Sequence, residues 1–373
     1  MRWLRFILMN RILLVSDSKG YGGVASATEA LVKAFRKNKN RSRVFYLKQG
    51  VKNFLRNYFY LVKLHKHYDT FILMHFPAIA MGIFVRLLGF KIYKINVIHT
   101  DLVGFYQNSS LLKKMILKCM LYCIRNEKIV FVSYQAEKRA KDFLNFSDTT
   151  TIYNIRNVNS LSKSIHLTKK NKSKFILGSI ARLHSSKNID TLIKVFNRLL
   201  TTNTQLSIEL HIYGDGEESD NVKAYAQRHK SSSNIYFMGY EANVENIYSN
   251  IDAVVSFSTI EGFGLSILES FDYGKPVFHT ACPSGPTELL LPSQKDIIYQ
   301  NDEYIHTCYG FLVNSEKSRD KYSIELTEQQ VKYVDLLHKF IEFYKENEIK
   351  AYDFSKFDSS YVVEQWIKLI KGD

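Results

Sequence analysis

The run Thr259-Ile260-Glu261-Gly262-Phe263-Gly264-Leu265-Ser266-Ile267-Leu268-Glu269 directly follows the apolar stretch Ala253-Val254-Val255-Ser256-Phe257. A short strand ending in a Gly-x-Gly turn and opening into an amphipathic helix leaves backbone N–H groups unpaired at the helix N-terminus. Such amides bind phosphate. Glu261 falls in the loop and Glu269, eight residues on, in the first turns of the helix, so both carboxylates line one crevice. Amides for a diphosphate, with carboxylates for the hydroxyls of ribose and sugar, suit a nucleotide-sugar. A glycine turn of this kind also serves plain strand–helix packing, so the neighbouring segments decide.

Gly178-Ser179-Ile180-Ala181-Arg182-Leu183 ends another apolar run in a cation, and Lys187 follows five residues later at a helix start. Arg and Lys at a strand's carboxyl end supply the positive charge that a diphosphate needs. Gly214-Asp215-Gly216 reads as a tight structural turn. Tyr240 and Glu241 either frame a nucleobase or form a surface loop. Gly22-Gly23 lies between a first strand and a helix but lacks the third glycine and the ribose-binding acid of a dinucleotide fingerprint. It fits a loop whose backbone approaches a ligand. His99 closes a buried strand, a position from which crevice residues come. The sequence contains no Asp-x-Asp, so no carboxylate-held metal is expected. It also has no Walker motif, no His-Glu-x-x-His and no nucleophile elbow.

Strands must carry these residues to one edge. Periodicity predicts strands over 11–16, 44–47, 71–75, 92–99 and 129–133, with helices near 25–37, 51–67, 77–89 and 110–126. Lysine-rich residues 157–174 interrupt the pattern as an interdomain linker. Strands over 175–181, 208–213, 235–238, 253–257, 276–279 and 310–313 follow, with helices between them and an amphipathic helix over 361–371. Strand–helix alternation implies parallel sheets covered on both faces. At 373 residues the chain is long for one core. The expected fold is therefore α/β, with two doubly wound, Rossmann-like domains facing an interdomain crevice. Expected boundaries are 1–160, 175–350 and a closing helical segment, 351–373.

Net charge is +15, unevenly spread: residues 1–172 hold 31 Lys and Arg against 8 Asp and Glu, residues 173–373 hold 20 against 28. A basic half needs an anionic neighbour. The aromatics do not interleave with cations as in nucleic-acid modules, which favours an anionic membrane surface. Over 111–125, apolar Leu111, Leu112, Met115, Ile116, Cys119, Met120, Cys123 and Ile124 fall on one side. Lys113, Lys114, Lys118 and Arg125 fall on the other. Residues 51–66 form a second, similar segment. Such a helix either lies on an anionic bilayer or packs on a sheet. No apolar stretch reaches spanning length. Cys119, Cys123, Cys282 and Cys308 have neither Cys-x-x-Cys nor zinc spacing and read as reduced thiols. The opening residues 1–8 read as the lead-in to the first strand rather than a secretory signal. The expected location is cytoplasmic, peripheral at the inner face of the cell membrane.

Arg182 with Lys187, Gly214-Asp215-Gly216, Glu261-Gly262-Phe263-Gly264 with Glu269, and Gly274-Lys275-Pro276-Val277 together resemble the donor-side pattern of family-four retaining glycosyltransferases with the GT-B fold. The resemblance is specific over residues 175–290. It extends more loosely through Gly22-Gly23, His99, Ile152-Tyr153-Asn154 and the closing helix. It implies that Arg182 and Lys187 hold the donor diphosphate, helped by amides near Phe263, Gly264 and Leu265. Glu269 would accept from the ribose hydroxyls. Glu261 would face the transferred sugar, as a sugar-positioning carboxylate or as a nucleophile. Gly22 and Gly23 would let the diphosphate approach the first domain, His99 would lie near the donor sugar, and the last helix would cross back to the first domain. Ser284-Gly285-Pro286-Thr287-Glu288 stands where many family members have paired glycines, and similar loops occur in transferases of surface polysaccharide and lipopolysaccharide. The implied activity moves a hexose or N-acetylhexosamine from a nucleotide-sugar, a UDP-sugar being favoured, to a lipid-linked or surface-polysaccharide acceptor. Retention of configuration and no metal or other cofactor are implied. The first domain would face acceptor and membrane, the second the donor. Other readings are a GT-B sugar-nucleotide epimerase, which needs acid/base residues for proton transfer, and a non-catalytic or nucleic-acid-binding basic protein.

Overall fold

Strand β1 (Arg11–Ser16) buries every residue from Ile12 to Ser16, as a parallel strand covered on both faces must. The computed structural model describes residues 10–20, 22–90, 92–156, 174–316 and 321–372. The opening residues 1–8, and the linker assigned to 157–174 apart from Lys174, lie outside the described residues. The chain divides into two compact units, Met1–Asn157 with Phe354–Asp373, and Val158–Asp353.

In the first unit, β1 is followed by α1 (Gly23–Lys37), β2 (Arg41–Tyr46), α2 (Val51–Leu64), β3 (Thr70–Met74), α3 (Phe76–Leu87) and β4 (Lys94–Ile98). Then come α4 (Leu102–Gln107), α5 (Leu111–Ile124), β5 (Lys128–Phe131), α6 (Tyr134–Phe143) and β6 (Asp148–Thr151). The six strands form a parallel sheet in the order β2-β1-β3-β4-β5-β6. One face buries Leu13, Val15, Phe71, Leu73 and Phe131 against side chains of α2, α3, α5 and α6. Helix α5 is anchored by Leu117, Leu121 and Ile124. Most of the apolar stripe read from the sequence, from Leu111 to Cys123, faces solvent instead.

The second unit runs β7 (Phe175–Ile180), α7 (Ile189–Thr202), β8 (Ile208–Tyr213), α8 (Ser219–Ala226), β9 (Ile235–Gly239), α9 (Val244–Asn250), β10 (Ala253–Ser256) and α10 (Leu265–Asp272). It continues with β11 (Val277–Thr280), α11 (Gly285–Leu290), β12 (Ile297–Gln300), β13 (Tyr304–Thr307), β14 (Gly310–Val313) and α12 (Glu328–Glu346). The sheet order is β12-β13-β14-β11-β10-β7-β8-β9. It departs from an all-parallel sheet at one edge, where β13 pairs antiparallel with both β12 and β14. Phe196 and Leu199 of α7 pack with Leu337 and Phe340 of α12 in the main core. The last helix, α13 (Ser359–Lys371), belongs to the first unit. Its Trp366 meets Phe35 of α1 edge-on at 6.4 Å, and the Arg156 amide donates to the Phe357 carbonyl just before it.

Candidate active site

In the second unit the loops after β7, β10 and β11 leave neighbouring strands at their carboxyl ends, the edge where open α/β sheets bind ligands. Hydrogen bonds fasten the first two loops together. The Asn188 side-chain amide donates to the Phe257 carbonyl at 3.1 Å, and the Thr259 amide donates to the Ser186 carbonyl at 3.0 Å. Asn188 sits at φ 46°, a left-handed turn that asparagine tolerates and that separates the 3₁₀ turn Ser185–Lys187 from α7. The result brings the Lys187 ammonium onto the Glu261 carboxylate as an ion pair, both side chains mostly buried.

Burial alone would push the Glu261 carboxyl up. The Lys187 charge, then His279, and hydrogen bonds from Lys187 and Ser258 outweigh it and hold the group below its ordinary value. Glu261 is thus ionised at neutral pH. His279, buried at the end of β11, is pulled down by burial and partly restored by Glu261. Arg182 is more exposed and lies 3.3 Å from Glu217, whose other oxygen is 3.3 Å from the His184 ring. Exposed pairs of this kind hold their partners weakly, so Arg182 can turn to an anion at little cost.

Gly264 caps α10 at φ 90° and ψ 56°, where a side chain is strained, and leaves the Leu265 and Ser266 amides without an intrahelical acceptor. Glu269, one turn further, accepts from the Tyr248 hydroxyl at 3.3 Å, and Tyr248 also donates to the Ser266 carbonyl at 2.8 Å. Burial raises the Glu269 carboxyl to about 7, the Tyr248 hydrogen bond opposing it and Asp272 reinforcing it. The turn Gly214–Gly216 serves the loop after β7: the Leu183 amide donates to Asp215, and the Glu218 amide to Leu183. Glu241 accepts from the Asn243 amide at 2.7 Å and from the Asn246 side chain, so it braces the start of α9, which Asn243 caps.

The loop after β11 supports the Gly262–Gly264 turn from below. The Ser284 hydroxyl donates to the Glu261 carbonyl at 2.9 Å, and a side chain at Gly285 would begin 2.0 Å from the Phe263 carbonyl. Glycine at 285 is therefore required by close approach. Gly285→Ala is expected to cost about 1–3 kcal/mol by displacing Phe263 and Gly264, which thermal melts would show.

Gly22, Gly23 and His99 lie in the first unit, after β1 and β4. A side chain begun at Gly22 or Gly23 would meet nothing within 4 Å, so the backbone there stands open. The His99 ring is pushed down to about 3 by burial and then by His75. His75, after β3, is pushed to about 4 by burial. The two rings lie edge-to-face at 6.4 Å and both are neutral at physiological pH. His75 has φ 76°, an uncommon backbone for a non-glycine residue and one found at functional sites. Sequence reading missed His75, His279 and Tyr248. The first two close apolar runs at their carboxyl ends, the same signal that singled out His99, whereas nothing local marks Tyr248.

Residues 163–323 match the family model of glycosyl transferases group 1. An uncharacterized glycosyltransferase of Methanocaldococcus jannaschii is 25% identical over 342 residues, 85% of this chain and 83% of that protein. A poly(ribitol-phosphate) alpha-N-acetylglucosaminyltransferase of Staphylococcus aureus is 28% identical over 210 residues. That match takes in 56% of this chain and 41% of the relative, so the chain spans well under half of that protein. The crystal structure of Anabaena HepE in complex with UDP-glucose is similar at TM-score 0.67 and 18% identity, over 97% of this chain and 100% of that one. The fold is GT-B, two parallel-sheet α/β units, with an antiparallel edge on the second sheet. The segment that matches the group 1 model lies in the second unit and holds Arg182, Lys187, Glu261 and Glu269. These findings support a glycosyltransferase.

Proposed function

We propose that the protein transfers a hexose or N-acetylhexosamine from a UDP-sugar to a lipid-linked or surface-polysaccharide acceptor, with retention of anomeric configuration and without a metal cofactor. The observation that carries this reading is the Lys187–Glu261 pair beside the free amides of the Gly264-capped helix, within the glycosyl transferase segment. The bond from the anomeric carbon to the diphosphate breaks, and negative charge gathers on the leaving phosphate. Arg182, Lys187 and the Leu265 and Ser266 amides oppose that charge in place, without a metal. The acceptor oxygen bonds to the anomeric carbon on the face the phosphate leaves, and its proton passes to a phosphate oxygen.

In this reading no protein nucleophile is used. Glu261, kept ionised by Lys187, positions sugar hydroxyls, and Glu269 receives the ribose hydroxyls. Gly22, Gly23 and the neutral ring of His99 belong to the same proposal as contributions from the first unit. The S. aureus relative, by its name, transfers N-acetylglucosamine to poly(ribitol-phosphate), which supports a polymeric acceptor. No observation favours the epimerase or the nucleic-acid reading.

The test is transfer by the full chain to an acceptor glycan, followed by proton NMR of the product. An α-linked product from an α-linked donor, formed at an unchanged rate in a chelator, is expected. A β-linked product, or a rate that falls away in chelator, contradicts the proposal.

A further inference from the structure

We propose that the outer face of α2, the end of α3 and α5 is a docking surface for an anionic phospholipid bilayer. The three helices are neighbours on one face of the first sheet: Phe54 and Tyr58 of α2 meet Phe84 of α3 edge-on at 4.8 and 5.4 Å, and Arg86 of α3 donates to the Cys123 carbonyl of α5 at 3.3 Å. Their sheet-facing stripes are already satisfied by the core. Much of what remains outside is apolar. Leu111, Leu112, Met115 and Ile116 are 61–77% exposed, and Leu55 and Phe59 on α2 are 59% and 65% exposed. On a helical wheel the exposed apolar residues of α5 fill an arc of about 140°, at 3.6 residues per turn. A monomer surface rarely leaves such a patch uncovered without a partner.

The charge around the patch names the partner. Exposed Lys113 and Lys118 flank the apolar arc of α5, and exposed Lys52, Arg56 and Lys63 interleave with Leu55 and Phe59 on α2. Neither helix contains a carboxylate. Between Glu29 and Glu127 the chain has 18 Lys and Arg but only Asp69 and Asp101 as acids, and each is already paired, with Arg11 at 2.7 Å and Arg139 at 2.5 Å. Apolar side chains rimmed by unopposed cations fit the headgroup region of an anionic bilayer, where the chains enter the acyl boundary and the cations meet phosphate. Among the described residues no helix is long and apolar enough to cross a membrane, so this surface would lie on the bilayer rather than span it.

The exposed residues of α2 and α5 are separate from those proposed to bind the donor, so membrane and donor binding fail separately. The experiment is co-sedimentation of the full chain with phosphatidylglycerol–phosphatidylcholine vesicles and with pure phosphatidylcholine vesicles, at low and high salt. Binding to the anionic vesicles alone, released by salt, is expected. Leu112→Glu with Ile116→Glu should weaken it about tenfold or more, and Lys113→Gln with Lys118→Gln should flatten its salt dependence. Both variants should keep the wild-type melting shift with UDP, which reports an intact second unit. Cys119 and Cys123, exposed on the same helix, should be alkylated more slowly with vesicles present. Absence of sedimentation at low salt, or unchanged sedimentation of the Leu112→Glu/Ile116→Glu variant, overturns the proposal. So does a lipid-free dimer that this variant dissolves, which would assign the face to a second copy.

Discussion

Replacing Lys187 with alanine is expected to lower transfer about 10²–10³-fold, the usual cost of removing one preorganised charge-stabilising group. The substitution also has a consequence for stability. Glu261 would keep its burial and lose its main compensating charge, so its carboxyl would move from below its ordinary value to above it. A group held low contributes stability above its unfolded pKa and loses it as pH falls through the folded pKa; a group held high does the reverse. The variant should therefore be less stable than wild type by about 1–3 kcal/mol at pH 8, and the deficit should shrink toward pH 4. Adding Glu261→Gln should restore most of the stability and none of the activity, whereas Lys187→Arg should recover part of both. Melts across pH, read beside turnover, separate the two roles. A deficit that does not depend on pH would show that Glu261 is not the group left behind.

The second large effect runs in opposite directions for stability and binding. Glu269 sits at about 7 rather than near 4.5, chiefly because it is buried. Its folded form holds a proton that the unfolded chain has already released, so stability falls as pH rises from about 4.5 to about 7 and is flat above. The cost at pH 8 is at most about 3.5 kcal/mol, at about 1.4 kcal/mol per pKa unit. Glu269→Gln keeps the acceptor that Tyr248 uses and removes the charge. It should melt a few degrees higher at pH 8 and show no gain near pH 4. Donor binding should suffer instead: two ribose hydroxyls donating to a carboxylate lose about 1.5–3 kcal/mol when that carboxylate becomes an amide. In the wild type, donor affinity should rise from pH 6 to pH 8 as Glu269 ionises and then level off. Calorimetric titration with UDP at several pH values checks this. A flat profile would remove Glu269 from the ribose.

The alternation that gives two α/β units was legible because buried parallel strands are short apolar runs, and β1, β8 and β14 match their predicted spans residue for residue. The edge strands β12 and β13 were not legible. Ile298 and Tyr299 are exposed, and no helix separates the two strands to announce them. Helix α5 shows a different limit. Both of its stripes are apolar, so periodicity could not say which one meets the sheet; Leu117 and Leu121 do, because they reach the core shared with Phe131. At the site, Glu261, Lys187 and Glu269 stood out through local motif chemistry. Tyr248 and His279 act on those carboxylates across gaps of 21 and 18 residues, and such contacts have no local sequence signal.

On this proposal the loops after β7, β10 and β11 hold a nucleotide-sugar. The most direct test is a thermal-shift panel of UDP-, GDP-, ADP- and CMP-sugars on the full chain in the presence of a chelator. A clear upward shift with UDP-sugars, lost in Lys187→Ala, is the predicted result. No shift with any of the four nucleotide classes, from a chain that melts cooperatively, would contradict it.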